Sequence, residues 1–465
     1  MNTSIIVGLA LIVLIVVLLL TNKKLLETLK NIYKIEELRK RILFTLGLLL
    51  IYRLGSFVTL PGIDHAVLEK ATTVGADGSL LGLLNVFSGG AFSQASIFAL
   101  GVMPYITASI IIQLLGIMVP YFRKMQREGE SGRRKMNQWT RFLTIAVLIL
   151  QGPAYLYSMV LNWGYKGMPI VPAEYSGDLL GIANGQFIIP SVIILIAGTM
   201  FIMWLGEKIT DKGIGNGVSL IIMIGIVARL PQAFMSELEF QVLGGGSIIQ
   251  FIVELVFLAL VFMLAIAIVQ AVRRIPVQYA KRIVGNKQYG GVRQYIPLKL
   301  NAANVMPIIF AQALMFIPGL IWKNNYPEWT SIDGWGYNLV LVVLVIAFTY
   351  FYTAIIVNPQ MMADDMKRNG GFIPGVKPGK STVKYIDDVM TRITLPGSIF
   401  LAIITILPAI AMKLNVDPNF AYFFGGTSLL IMVGVVLDTL KQIESYLLMR
   451  HYDGLMKTGR IQGRY

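Results

Sequence analysis

The sequence contains no cysteine and only two histidines, His65 and His451. Without thiols the chain has no disulfide, thiolate metal site or cysteine nucleophile, and two histidines do not suggest an imidazole-based metal site. Charged residues are also scarce, at 14% of the 465 residues, whereas 55% are hydrophobic. A soluble chain of this length cannot bury so much apolar surface in one core. The composition therefore predicts a polytopic α-helical membrane protein.

Apolar runs long enough to cross a bilayer, which takes about 20 residues, recur along the whole chain. The ten predicted spans are 42–60, 98–119, 139–160, 187–206, 214–230, 247–271, 303–322, 337–357, 395–413 and 421–440. An eleventh run, 5–20, precedes them with no basic segment before it and no cleavage site after it, unlike a secretory signal. We interpret residues 1–22 as an additional hydrophobic helix or anchor, with an artefact of the assigned start as the alternative.

Positive charge is concentrated between alternate spans and gives the predicted topology. The chain carries a net charge of +15, and 34 of its 40 lysines and arginines lie in 23–41 and in every second segment after it. By the positive-inside rule these segments and the C-terminus are cytoplasmic, and part of this charge is expected to bind anionic lipid. The basic segments 272–301 and 358–392 also contain Tyr, Pro and Gly, so we expect ordered hairpins that reach a cytoplasmic partner.

Two features indicate a pore between inverted repeats. Segment 85–94, NVFSGGAFSQ, is rich in glycine and serine and is predicted to be re-entrant, because such backbone is tolerated at membrane depth only inside protein or a cavity. The tripeptide Val-Met-Pro occurs at 102–104 and at 305–307, at corresponding positions of two five-span halves. We predict inverted halves at 23–230 and 231–447, a tail at 448–465, and prolines that free backbone carbonyls and permit kinks in both helices.

The sequence offers little for catalysis or ion coupling. In the loop 371–381, three residues separate Gly375 from Gly379 where a phosphate-binding loop needs four, and no strand is predicted before this motif. Among the ionisable residues of the spans, only Arg53 lies far from a predicted end, and we expect it to pair with a backbone carbonyl or a partner helix. An ion-coupled secondary transporter is the alternative function, and a membrane-embedded enzyme lacks a nucleophile, metal ligands or paired carboxylates.

Six long motifs nevertheless resemble one family. They are LRKRILFTLGLLLIYRLGSFVTLPGID (38–64), FSGGAFSQASIFALGVMPYITASIIIQLL (87–115), EGESGRRK (128–135), MWLGEKITDKGIGNGVS (203–219), KYIDDVMTRIT (384–394) and FGGTSLLI (424–431). In this order the motifs are similar to the SecY family, the pore subunits of the bacterial protein-secretion translocon, over roughly residues 25–460.

The resemblance implies an all-α fold with an hourglass pore between two inverted five-helix halves, and no cofactor. It implies a plug at 85–94 that includes Phe87, Ser88, Gly89, Gly90, Ala91 and Phe92. The implied aliphatic pore ring is Val102, Ile106, Ile222, Ile309 and Ile431. The implied lateral gate includes Pro104, Gln113, Pro307 and Gln312.

The resemblance also implies partners and a location. Expected docking residues for a motor or ribosome are Arg273, Arg274, Lys281, Arg282, Lys377 and Lys380. Lys377 replaces an arginine that is common in the family, which puts the detail of that contact in question. The implied partners are SecE-like and SecG-like small subunits, the SecA motor ATPase, translating ribosomes and unfolded secretory or membrane proteins. The implied location is the bacterial cytoplasmic membrane.

Overall fold

A computed structural model describes most of the chain between residues 35 and 457. The described residues are 35–68, 85, 88–161, 164–165, 168–175, 177–179, 184–243, 247–279, 282–284, 287–289, 293–321 and 334–457. The predicted N-terminal helix, in residues 1–22, lies outside them.

The described chain is predominantly helical, as the apolar composition predicts. Its α-helices are α1 (Glu36–Gly55), α2 (Met103–Met118), α3 (Pro120–Arg127), α4 (Glu130–Tyr155), α5 (Gly185–Lys212), α6 (Gly217–Leu243), α7 (Ile248–Gln270), α8 (Met306–Ile321), α9 (Trp335–Ile356), α10 (Pro359–Arg368), α11 (Lys380–Lys413), α12 (Pro418–Ala421) and α13 (Gly426–Lys457). The strands are β1 (Gly164–Tyr165), β2 (Met168–Pro169), β3 (Val272–Tyr279), β4 (Arg282–Val284), β5 (Lys287–Tyr289), β6 (Arg293–Lys299) and β7 (Gly371–Phe372).

A helix overlaps each of the ten predicted spans. By length and hydropathy alone, six helices in the described residues qualify as membrane spans, and the bent pair α2–α3 makes up to seven. The predicted boundaries are wrong in places. α6 was expected to end near residue 230 but continues through Pro231 to Leu243. Arg229, at the end of the predicted span, therefore lies in the interior of the helix.

The expected proline kinks in the second and seventh spans are wrong. Pro104 is in the first turn of α2, and Pro307 is the second residue of α8. In the first turn of a helix the missing N–H of proline has no intrahelical acceptor to lose, so proline starts a helix there without bending it. The repeated Val-Met-Pro tripeptide thus marks two helix starts.

The contacts divide the chain into two compact units. The first contains residues 1–236 and 435–465, and the second contains residues 237–434. The division between our predicted halves, at 230/231, remains a prediction. In the first unit, a buried apolar cluster joins the loops that were predicted to be outer to helices α4 and α5, and it includes Leu60, Phe92, Tyr155, Ile170 and Leu195.

In the second unit, the two predicted cytoplasmic hairpins form one small folded subdomain. β3 pairs antiparallel with β6 from the same loop and with β7 from the other loop. A buried cluster beneath this sheet contains Ile275, Val277, Leu298, Met366, Ile373, Ile386 and Met390. Because this core draws on both loops and on α10 and α11, the loops hold each other in place.

β7 also corrects a sequence-based statement. A two-residue strand does precede Gly375, and α11 begins at Lys380, directly after Gly379. The three-residue glycine spacing still differs from that of a phosphate-binding loop.

Candidate functional site

The segment 85–94 is buried inside the first unit. Ser88, Ala91 and Phe92 are all below one-tenth exposed, while Phe87 lies outside the described residues. Gly89 and Gly90 have φ values of 66° and 95°, which favour glycine. A Cβ on Gly89 would lie 2.7 Å from the Cα of Gly225 on α6, so only glycine permits this approach.

The segment satisfies much of its own backbone hydrogen bonding. The Asn85 carbonyl accepts from the Gly90 N–H at 3.0 Å, and the Asn85 side-chain oxygen accepts from the Ser93 N–H at 3.1 Å. The Ser88 hydroxyl oxygen accepts from the Phe92 N–H at 3.0 Å. Internal satisfaction of this kind allows irregular backbone within the membrane, provided that protein surrounds it.

Helices α1 and α4 supply the donors that hold the segment. The Arg53 Nη1 donates to the Gly89 carbonyl at 2.7 Å, and the Tyr155 hydroxyl donates to the Phe92 carbonyl at 2.7 Å. The Tyr52 hydroxyl lies 3.4 Å from the Ser88 carbonyl. The backbone-carbonyl partner expected for Arg53 is therefore present, and it belongs to the segment itself.

Aromatic and charged side chains complete the set of residues that hold the segment, which we call its seat. The rings of Phe92 and Tyr155 are 4.8 Å apart, and the Arg53 guanidinium lies 4.6 Å from the centroid of the Phe57 ring. A π-helical turn, Leu156–Val160, follows Tyr155 directly, and such turns are frequent at functional sites. Arg229 approaches from α6, with its Nε 3.6 Å from where a Cβ on Gly90 would be.

Sequence reasoning did not identify Tyr155 or Arg229 as parts of the seat. The available signal was a polar or charged side chain in a long apolar helix, and such groups usually have a partner inside the protein. Arg229 was obscured by the boundary error in α6.

Four of the five predicted pore-ring residues occupy matching positions in four helices. Ile106 is the fourth residue of α2 and Ile309 is the fourth residue of α8, with Val102 immediately before α2. Ile222 is the sixth residue of α6 and Ile431 is the sixth residue of α13. Val102, Ile106, Ile222 and Ile431 are buried, and Ile309 is partly buried. By these positions in the helices, α2 corresponds to α8 and α6 corresponds to α13, as an internal repeat requires.

The predicted gate residues lie in α2 of the first unit and in α8 of the second unit. In the first unit, the Gln113 Nε2 lies 3.5 Å from the Ser109 hydroxyl on the same helix, α2. In the second unit, the Gln312 side-chain oxygen on α8 accepts from the Thr427 hydroxyl on α13 at 3.4 Å. The gate assignment of Pro104, Gln113, Pro307 and Gln312 remains a prediction.

The predicted docking residues lie on the subdomain formed by the two hairpins. Arg273 and Arg274 are exposed on β3, Lys377 is exposed in the turn before α11, and Lys380 is exposed as the first residue of α11. Arg282 is in β4, and Lys281 lies outside the described residues. The shared sheet places two separate basic stretches of the sequence on one folded body.

Comparison with known proteins decides the family. The SecY family model matches residues 96–440. The chain belongs to the SecY family. The protein translocase subunit SecY of Chlamydia trachomatis is 42% identical over 456 residues, covering 94% of this chain and 99% of the relative. That of Streptomyces scabiei is 43% identical over 448 residues, covering 91% and 98%.

Solved SecY-like structures share the fold. A structure described as a protein conducting channel is 18% identical with a TM-score of 0.59, covering 87% of this chain and 91% of that one. Sec61 in a canine ribosome-channel complex from the endoplasmic reticulum is 17% identical with a TM-score of 0.55 and the same coverage. The fold is thus that of SecY and Sec61 channels.

Proposed function

We propose that this SecY-family protein is a protein-conducting channel that moves unfolded polypeptides across the membrane. The observation that carries the proposal is the buried segment 85–94, a self-bonded piece of irregular backbone held by Arg53 and Tyr155. The hydrogen bonds within this irregular segment would remain if the segment left its place in the channel. It therefore suits a removable plug better than a fixed structural element. The relatives' description as protein translocase subunits supports the same activity.

The pore ring would seal the channel around a moving chain. Hydrocarbon side chains at a constriction dewet when the pore is empty, which blocks ions. The same side chains offer no hydrogen bonds that would retain a passing polypeptide. The matching helix positions of Ile106 and Ile309, and of Ile222 and Ile431, support their assignment to one ring.

Hydrophobic segments would leave the pore sideways through a gate bordered by α2 and α8. Their release would follow transfer free energy, since leucine at the bilayer centre is favourable by about 0.5 kcal/mol and a charge is unfavourable by about 3 kcal/mol. No covalent chemistry is needed for either route.

Energy and substrates would come from partners on the cytoplasmic side. We assign docking of a SecA motor or a ribosome to the basic subdomain that carries Arg273, Arg274, Lys377 and Lys380, and we expect SecE-like and SecG-like subunits and anionic lipid around the helices. Exposure of these four side chains supports docking, and Sec61 is known in a ribosome complex. The bacterial relatives favour the cytoplasmic membrane, with the C-terminus cytoplasmic by the positive-inside rule.

The pore ring can be tested by Ile431→Asn. Ile431 is 6% exposed, whereas Ile403 on α11 is 53% exposed and provides the matched control, Ile403→Asn. An amide at the ring would hydrate the constriction and destabilise the closed state. We expect Ile431→Asn to raise ion conductance of the resting complex in planar bilayers and to increase export of a reporter with a weakened signal sequence. Ile403→Asn should do neither, and equal behaviour of the two variants would reject the ring.

A further inference from the structure

A buried carboxyl pair in the second unit has no role in the proposed channel. Glu237 lies in the part of α6 beyond the predicted span, and Glu254 lies near the start of α7. Glu237 is 0% exposed and Glu254 is 7% exposed. Neither forms an ion pair with a lysine or arginine in the part of the chain that the structure describes. Two buried acids without a basic partner require another source of neutralisation.

Glu237 has the hydrogen bonds of an ionised carboxylate. One of its oxygens accepts from the Gln241 Nε2 at 2.7 Å, and the other accepts from the Asp417 N–H at 2.6 Å. Both distances are in the short range typical of a charged acceptor.

Glu254 is bonded through one oxygen only. Its Oε1 lies 3.3 Å from the Gln241 Nε2 and 3.0 Å from the Gln250 Nε2. Its Oε2 and the side-chain oxygen of Gln241 are both buried and have no hydrogen-bond partner among the residues that the structure describes. Gln241 is only 1% exposed, so water in bulk does not reach these two acceptors.

This cluster has more hydrogen-bond acceptors than donor hydrogens. The Gln241 Nε2 has two hydrogens, yet it lies near three acceptors, the third being the Asn415 carbonyl at 3.4 Å. A proton on Glu254 would supply the missing hydrogen-bond donor. It would also remove one of the two negative charges that lie near the Gln241 Nε2. A divalent cation fits less well, because calcium and magnesium take about six or more oxygen ligands and only two oxygens here are free.

We propose that Glu254 is a proton-binding site that fastens the α6 end and the α7 start to the turn at 414–417. Two hydrogen bonds form this clasp: Gln250 donates to the Leu414 carbonyl at 3.1 Å, and Glu237 accepts from the Asp417 N–H. Loss of the proton leaves two adjacent buried charges and weakens this clasp. By the predicted topology the clasp faces the outer side, so it senses pH outside the cell.

The other charged groups of these elements do not replace the proton. Glu239 on α6 is exposed. The Lys413 ammonium lies 4.8 Å from the centroid of the Trp335 ring. The Asp417 carboxylate accepts from the Asn419 N–H at 2.8 Å and so caps α12.

The test uses the full chain with its co-purifying subunits in lipid nanodiscs. Glu254→Gln substitutes a neutral amide for the protonated acid, and Glu239→Gln is the control with the same substitution at an exposed position of α6. In the infrared spectrum we expect Glu254→Gln to remove one protonated-carboxyl C=O band, and Glu239→Gln to retain it. We also expect the thermal midpoint of the wild type to fall at alkaline pH, and that of Glu254→Gln to fall less.

A second variant keeps the proposal testable if Glu254→Gln fails to fold. Glu237→Gln removes the neighbouring charge, so the carboxyl band should disappear at a lower pH than in the wild type. The proposal is overturned if the wild type has no such band at neutral pH, if the band survives in Glu254→Gln, or if Glu237→Gln leaves its titration unchanged. These readouts do not depend on polypeptide transport, so they stand apart from the test of the channel.

Discussion

Replacing Arg53 by methionine should unseat the segment 85–94. Methionine keeps much of the side-chain length but removes the charged donor to the Gly89 carbonyl, a hydrogen bond of 2.7 Å. A hydrogen bond to a charged group contributes about 1.5–3 kcal/mol. A loss of about 2 kcal/mol corresponds to roughly a thirtyfold rise in the unseated population, since about 1.4 kcal/mol is a factor of ten.

The unseated population can be measured with a thiol reporter, because the chain has no cysteine. Ser93 is 8% exposed within the segment, so Ser93→Cys should react slowly with an impermeant reagent while the segment is seated. If opening is faster than reaction, the labelling rate follows the unseated population, and Arg53→Met should raise it about thirtyfold by the same conversion. Ion conductance of the resting complex should rise in parallel.

Arg41→Met is the matched control, since Arg41 is on the same helix but its guanidinium bonds to Glu37 at 3.2 Å. It should leave the labelling rate of Ser93→Cys unchanged. A labelling rate that is equal in the Arg53 and Arg41 variants would refute the reasoning that the charged donor holds the segment.

The remaining predictions concern docking, helix packing and topology. Charge reversal at Arg274 or Lys377 should weaken binding of a motor ATPase or ribosome without altering the thermal midpoint, and unchanged affinity across a salt series would count against docking there. Gly217→Ala should destabilise the protein by about 1–3 kcal/mol, because its Cβ would collide with the α5 backbone. Gly47→Ala in α1 meets nothing within 4 Å and should be neutral or stabilising by up to about 1 kcal/mol in thermal unfolding. In cells whose inner membrane is intact, Thr3→Cys should react with an impermeant thiol reagent added outside. Labelling only after lysis would contradict the predicted topology.

Arg53 and Glu237 show where sequence reasoning succeeds and fails. Arg53 stands alone within an apolar run, so its need for an internal partner was readable, although the identity of the partner was not. Glu237 follows Pro231 and a drop in hydropathy, and both suggested that the helix had already ended. The helix continues because packing within the protein, which local hydropathy does not report, supplies the partners that its polar side chains need.

By itself the sequence determined that this is a polytopic helical membrane protein, and it predicted basic segments on one side, because bilayer thickness and charge act on local runs of residues. Its long motifs likewise identified the family. Only the tertiary structure showed that Arg53 bonds to Gly89 and Tyr155 bonds to Phe92. It also showed that two loops share one sheet and that Glu237 lies beside Glu254. Each of these contacts joins residues far apart in the chain, and distances of that kind are set by packing rather than by periodicity or composition.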